Sequence, residues 1–263
     1  MLPRTFRRYG CAFAALILMQ GHAAALVLDW GTVAWTEGSL NNSYDVDFDA
    51  INDITVSVTS NNGAGLQPYL GVSPQTPANN SVFEGGLGST QNTLTIALNL
   101  DNAFQSITVT VSFAGLGGGA TDVSFQIFDV DAGGGAQDEM TLIRGLSIDG
   151  STLIAPIITP SRDNTLIGVG INQSVLGAGP TASTGANSGR GNVTISFGTE
   201  AIQSFTFTYG STAAFGPNPA YQHFGIHNIS FTPVPEVNPA LLSVFSCLAA
   251  AGLILRRRLR GRK

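Results

Sequence analysis

Ile107-Thr-Val-Thr-Val-Ser-Phe113 (ITVTVSF) alternates apolar and hydroxylated side chains without a break. That period of two puts every second residue on one face, as in a strand with one buried side, and a helix cannot use it. The same pattern returns at Ile54–Val58, Leu94–Leu98, Val123–Val130, Val193–Phe197, Phe205–Tyr209 and Phe224–Phe231, with a further strand expected from Met140 to Ile143. Clusters of Gly, Asn, Ser and Pro separate these runs, and no amphipathic helical stretch competes with them. The reading is an all-β chain whose body is a single antiparallel β-sandwich, jelly-roll-like in form. Residues 60–92, rich in Gly, Pro and Asn, are expected to form a long loop with a small hairpin inside that one domain.

Both ends differ from this body. Arg4, Arg7 and Arg8 precede an apolar stretch from Cys11 to Met19 and the small residues Ala23 to Ala25, the order of a secretory signal peptide over 1–25. At the other end, the 16 residues from Ala240 to Leu255 carry no charge and would span roughly 24 Å as a helix. That is short for a hydrocarbon core near 30 Å, so flanking arginines and local thinning would have to make up the difference. Arg256, Arg257 and Arg258 open a basic end (256–263) that the positive-inside rule assigns to the cytoplasm. The expected body, 26–233, then lies outside the membrane.

The charge distribution follows. Residues 26–235 keep only Arg144, Arg162 and Arg190 against 16 acids, a formal charge of minus 13 that the whole-chain value of minus 5 conceals. Nucleic acid is excluded as a partner on this ground, because phosphate backbones require clustered Lys and Arg. Cys11 and Cys247 both lie in the terminal segments, so the body has no disulfide.

Val234-Pro235-Glu236, followed by one short apolar segment and a terminal arginine cluster, resembles the PEP-CTERM sorting signal of Gram-negative bacteria. The third motif position is Val237 where that pattern has proline, and the next proline is Pro239. The resemblance covers about 30 residues, the tail 234–263. It implies recognition by an exosortase-type membrane protease, transient residence in the inner membrane, and release to the cell surface or into an exopolysaccharide matrix. It further implies an adhesive or structural role in biofilm and an extracellular β-sandwich body without established catalytic residues.

Two acidic stretches invite a metal. Phe128-Asp-Val-Asp-Ala-Gly-Gly-Gly-Ala-Gln-Asp-Glu139 joins two strands, and its glycines let the chain fold back so that Asp129, Asp131, Asp138 and Glu139 converge, a calcium set of oxygen ligands. A solvated acidic hairpin tip is the competing reading. In Asp45-Val-Asp-Phe-Asp49 three aspartates would share one strand face, with Val46 and Phe48 on the other. Trp30, Trp35, Tyr44 and Tyr69 offer flat faces for sugar rings, although aromatic residues of a sandwich are commonly core. Gly115–Ala120 imitates a dinucleotide-binding fingerprint, but a strand rather than a helix follows it, so a hairpin turn is expected. His223 and His227 would stand about 13 Å apart on one strand face, too far for one ion. The expectation is a noncatalytic exported matrix protein. The alternative is a secreted glycan-active hydrolase, which needs two carboxylates in a cleft, one with a raised pKa.

Overall fold

The computed structural model describes residues 24–133, 136–177, 187–212 and 220–235. Residues 1–23 of the expected signal peptide, Glu236 of the sorting motif, the apolar segment 240–255 and the basic end therefore lie outside the described residues. Among those described, no helix is long and apolar enough to cross a membrane.

Among the described residues every strand pairing is antiparallel, and the strands form two layers joined at one corner, where Ile202 pairs with Ala120. The first runs β2 (Asn41–Tyr44), β3 (Ile54–Asn61), β7 (Ser106–Ser112), β16 (Ile202–Ser211) and β10 (Ala136–Ser147). The far side of β10 carries β14 (Ser174–Gly177) with β13 (Asn164–Ile167) beyond it, β11 (Leu153–Ile154), and the two-residue β9 (Ala132–Gly133) at its start. The second layer runs β12 (Ile157–Pro160), β15 (Val193–Ser196) and β8 (Ala120–Phe128), and then β17 (Ala220–Ile226) and β18 (Ile229–Pro233) end to end along one edge of β8. Beyond these lie β6 (Gln91–Leu100), with β5 (Ala78–Phe83) and β4 (Gly65–Leu66), and β1 (Leu26–Leu28) beside β18.

Side chains from the two layers meet face to face, which makes the fold a sandwich. Phe205 of β16 pairs through its backbone with Val111, while its ring stacks on Phe125 of β8 with centroids 4.5 Å apart. Tyr209 of β16 meets Phe224 of β17 at 4.2 Å, and Phe113 meets Phe231 at 5.3 Å. The alternation read in ITVTVSF is the cause: Ile107, Val109 and Val111 are fully buried, and the intervening Thr108 and Thr110 are half-buried. Thr108 instead shares a hydroxyl hydrogen bond of 2.9 Å with Thr208 across the β7–β16 pair.

Several expectations need correction. Residues 45–53 are a turn-rich loop, not a strand. The aspartate side chains capture backbone amides locally: Asp45 accepts from Phe48 at 2.7 Å and from Ala50 at 2.8 Å, and Asp53 accepts from Val46 at 2.8 Å. Such local bonds compete with ladder formation, and Phe48 ends 89% exposed rather than in the core. Residues 60–92 are more ordered than a loop, since β5 pairs with β6 as part of the second layer. Gly115–Ala120 is no hairpin either. It carries the chain from β7 in one layer to β8 in the other, and a methyl on Gly115 would lie 1.9 Å from the Asn52 carbonyl oxygen. Phe224–Phe231 is interrupted between Ile226 and Ile229, which divides one expected strand into β17 and β18.

Candidate functional site

A pocket of about 210 Å³ opens at the end of the sandwich where the end of β8, β9, the start of β10 and the start of β17 meet. Asp129, Asp131, Gly133, Asp138, Tyr221, Gln222 and His223 line it. Asp129 follows the last residue of β8 with φ of 71°, a left-handed conformation that aspartate tolerates better than most residues and that turns the chain out of the strand. Its Oδ2 lies 2.9 Å from Nε2 of His223. Two residues on, the Asp131 N–H donates to Oδ2 of Asp138 at 3.0 Å, and the Asp138 N–H donates back to the Asp131 carbonyl at 2.9 Å. Gly177 of β14 presses on the same turn, where a methyl would come within 2.0 Å of the Asp131 carbonyl oxygen.

On β17, Gln222 and Phe224 are buried, whereas Tyr221 and His223 occupy the alternate, half-buried positions. The His223 ring is held among three aromatic rings: Tyr69 edge-on at 4.9 Å, Tyr221 at 5.3 Å and Phe83 at 5.9 Å. The Tyr221 hydroxyl in turn accepts from the Leu70 N–H, which ties the 69–71 turn to the site. Tyr209 of the opposite layer donates to the His223 carbonyl at 3.3 Å, with its hydroxyl also beside Asp138.

Burial dominates the electrostatics. Asp138 is enclosed, which drives its pKa well above the ordinary carboxylate value, and the charges of Asp131 and Asp129 push the same way against the opposing hydrogen bonds from the Asp131 amide and Tyr209. Burial, followed by the Asp129 charge and Tyr221, also raises the Tyr69 phenol.

The pocket thus unites Asp129, Asp131 and Asp138 as expected, but not Glu139. Side chains alternate along β10, so Glu139 does not share the Asp138 face and does not line the pocket. The four-residue calcium set is accordingly not assembled. Trp30, Trp35 and Tyr44 are also displaced from their expected role as glycan contacts. They are 2, 6 and 7% exposed, and Trp30 packs edge-on against Trp35 at 6.3 Å and Tyr44 at 6.0 Å, so their faces belong to the core. Of the four aromatic residues, Tyr69 is the one beside the pocket. His223, Tyr221 and Tyr209 were missed as site residues. The alternation in Tyr221-Gln-His223 could have placed the first two together, but their meeting with Asp129 depends on a cross-strand register that sequence spacing does not show. His227 is elsewhere, stacked on Phe128 at 5.1 Å, with its pKa lowered by burial against the opposing charge of Asp29. Asp45, Asp47 and Asp49 offer oxygens within 4.8 Å of one another in the exposed loop.

No family model and no curated sequence matches the chain. Among solved structures, it is similar to a family 11 carbohydrate-binding module from Clostridium thermocellum, in complex with a mixed-linked tetrasaccharide, at 14% identity and a TM-score of 0.31, covering 74% of this chain and 97% of that one. A Caldicellulosiruptor saccharolyticus module, CBM27-1 in complex with mannohexaose, gives 10% identity and 0.33, covering 81 and 99%. The N-terminal domain of the Streptococcus gordonii adhesin Sgo0707 gives 12% and 0.34, covering 74 and 50%. The sandwich assignment rests on the strand pairing and interlayer contacts above, not on these likenesses.

Proposed function

We propose that the chain is an exported, noncatalytic glycan-binding protein of the cell surface or exopolysaccharide matrix, and that the pocket at the end of the sandwich is its saccharide contact. The observation that supports this reading is the joining of carboxylates, the His223 imidazole and the Tyr221 phenol in one open pocket, with the rings of Tyr69 and Phe83 packed behind His223. Carboxylates accept from sugar hydroxyls, phenols both donate and accept, and ring faces pack against the apolar side of a pyranose. In this proposal the N-terminus directs export. The tail that begins at Val234-Pro235-Glu236 holds the protein at the inner membrane until an exosortase-type protease processes it. Many weak contacts then add by multivalency within the matrix. Affinity electrophoresis of the full-length protein through gels containing bacterial exopolysaccharides tests the binding, with retardation expected and unretarded migration in every gel the adverse result.

A second reading, a glycan-active hydrolase, has one observation in its favour: Asp138, with a raised pKa, shares a cleft with the carboxylates of Asp129 and Asp131. It requires release of reducing ends that Asp138→Asn abolishes. Binding without such release supports the noncatalytic reading.

A further inference from the structure

Glu139 is the one carboxylate of the 128–139 stretch that the pocket does not use. It stands half-buried on the outer face of β10 together with Gln137, while Asp138 and Met140 take the inner face. Burial raises the pKa of its carboxyl above the usual glutamate value. The antiparallel register sets its neighbours on β16. Asp138 faces Ser211 and Glu139 faces Gly210, and one step further along the Thr212 N–H donates to the Gln137 carbonyl at 3.0 Å. Gln137 and Thr212 are thus direct cross-strand partners, and Glu139 is the diagonal neighbour of Thr212. Diagonal neighbours lie about 7–8 Å apart, within reach of a long side chain. Gly210, which separates them along β16, puts no side chain in the way.

The side chains of Gln137 and Thr212 already meet. Thr212 Oγ1 donates to Oε1 of Gln137 at 3.0 Å, and Gln137 Nε2 donates to the Gly177 carbonyl at 2.6 Å, so the carboxamide is held at both of its polar atoms. The backbone beneath it is fixed as well, since the Ser211 hydroxyl donates to the Gln137 carbonyl at 2.9 Å. A hydroxyl, a carboxamide and a carboxylate of raised pKa therefore share one sheet face, which are the parts of an acyl transfer: nucleophile, acyl group and base. A pair held in this way reacts as if one partner were present at about 10⁵ M or more, and a base whose pKa moves toward neutrality carries a proton more effectively. Other covalent staples are closed to the body, because residues 26–235 contain neither cysteine nor lysine and so can form neither a disulfide nor a lysine amide bond.

We infer that Gln137 and Thr212 are a cross-linking pair that joins β10 to β16 through an ester between their side chains. Glu139 takes the proton of the Thr212 hydroxyl as Oγ1 bonds to Cδ of Gln137. The Cδ–Nε2 bond then breaks, and the proton passes to Nε2, which leaves as ammonia. No oxidant or cofactor is consumed, and Glu139 ends the reaction as it began. The bond ties the start of one long strand to the end of the other and closes the chain between residues 137 and 212 into a loop, which restricts the unfolded state. The link is independent of what the pocket binds.

The test is peptide mapping by mass spectrometry of the full-length protein, denatured and cleaved after its acidic residues. The expected product is one branched peptide in which the segment ending at Asp138 is joined to the segment containing Thr212, lighter than the two together by the mass of one ammonia. Mild alkali should separate them, with position 137 recovered as glutamate. Two unlinked peptides of unchanged mass would overturn the inference, and because this comparison uses the unaltered protein it decides the question even if a variant fails to fold. Thr212→Ser should keep the link and Thr212→Val should lose it; a link that survives in Thr212→Val would overturn the assignment of the nucleophile. Glu139→Gln should slow formation of the link by about tenfold or more, followed as the linked fraction with time in freshly synthesised protein. An unchanged rate would overturn the role given to Glu139.

Discussion

His223 Nε2 lies 2.9 Å from Oδ2 of Asp129, joining the middle of β17 to the residue that leaves β8. β17 and β8 are antiparallel neighbours, paired at Gly225 with Phe128, so the contact follows from register. Two residues distant in sequence become one polar unit because a strand pair ends there and Asp129 turns outward. Asp131 follows on the same segment, and Asp138 is carried in by β10 of the other layer, which makes the pocket a product of the sandwich as a whole.

Asp138 should be a liability to the fold at neutral pH. Its folded pKa lies above 3.8, chiefly through burial, so between those values the folded state binds more protons than the unfolded one. Stability is then fully present below the unfolded pKa and is lost as pH rises through the folded one. Asp138→Asn keeps an oxygen to accept from the Asp131 amide and removes the buried charge. Its melting temperature at pH 7 should rise by a few degrees, since about 1 kcal/mol moves a domain of this size by about 2–4 °C, and its pH dependence should flatten. A lower melting temperature across the acidic range would contradict this account.

The same residue should make ligand binding acid-sensitive. Asp129, Asp131, Tyr209 and the His223 segment surround Asp138. As pH falls through its raised pKa the carboxylate becomes neutral and ceases to accept hydrogen bonds as an anion. Affinity for a glycan that the protein binds should therefore fall as pH is lowered through that raised pKa, measured by titration at constant ionic strength. A profile flat from neutral pH to pH 3 would mean that Asp138 does not face the ligand.

The interlayer stack of Phe205 on Phe125 should be among the stronger supports of the fold. Both rings are buried and their centroids are 4.5 Å apart. Phe205→Ala should cost about 3–5 kcal/mol in denaturant unfolding, because it loses burial and leaves a cavity between two layers that cannot close freely. A cost under about 1 kcal/mol would show that the layers do not pack through this pair.

Calcium is expected to act, where it acts, at the 45–49 loop rather than at the four residues 129, 131, 138 and 139. The loop's carboxylates offer oxygens within 4.8 Å of one another. Calcium should raise the melting temperature relative to chelator, Asp47→Asn should abolish the rise, and Glu139→Gln should leave it intact. An unchanged melting temperature with calcium would withdraw the ion from the account.

Much of the fold was readable because alternation is enforced by burial. Ile107–Ser112, Leu94–Leu98 and Phe205–Tyr209 are strands in place; the first and last bury one face in the common core, and Leu94–Leu98 is buried on both. Alternation misled at Asp45–Asp49, where aspartates bond their own backbone and the apolar partners Val46 and Phe48 are not sheet residues at all. The site was half legible. Asp129, Asp131 and Asp138 could be gathered from one glycine-containing turn, a local inference. Glu139 failed because its neighbour Asp138 claims the inward face, and His223 and Tyr209 could not be found without the strand order. Trp30 and Trp35 show a different limit: composition offers aromatic faces, but only packing decides whether they are spent on the core.

The most direct measurement of the central claim is an NMR titration of the full-length protein with short oligosaccharides of a bacterial exopolysaccharide, following the His223 imidazole and the Tyr221 ring. The account predicts progressive, saturable shifts at both residues, absent in Asp129→Ala, with the buried Trp30 indole unmoved. Saturable binding that leaves His223 and Tyr221 unshifted while perturbing another face of the sandwich would contradict it.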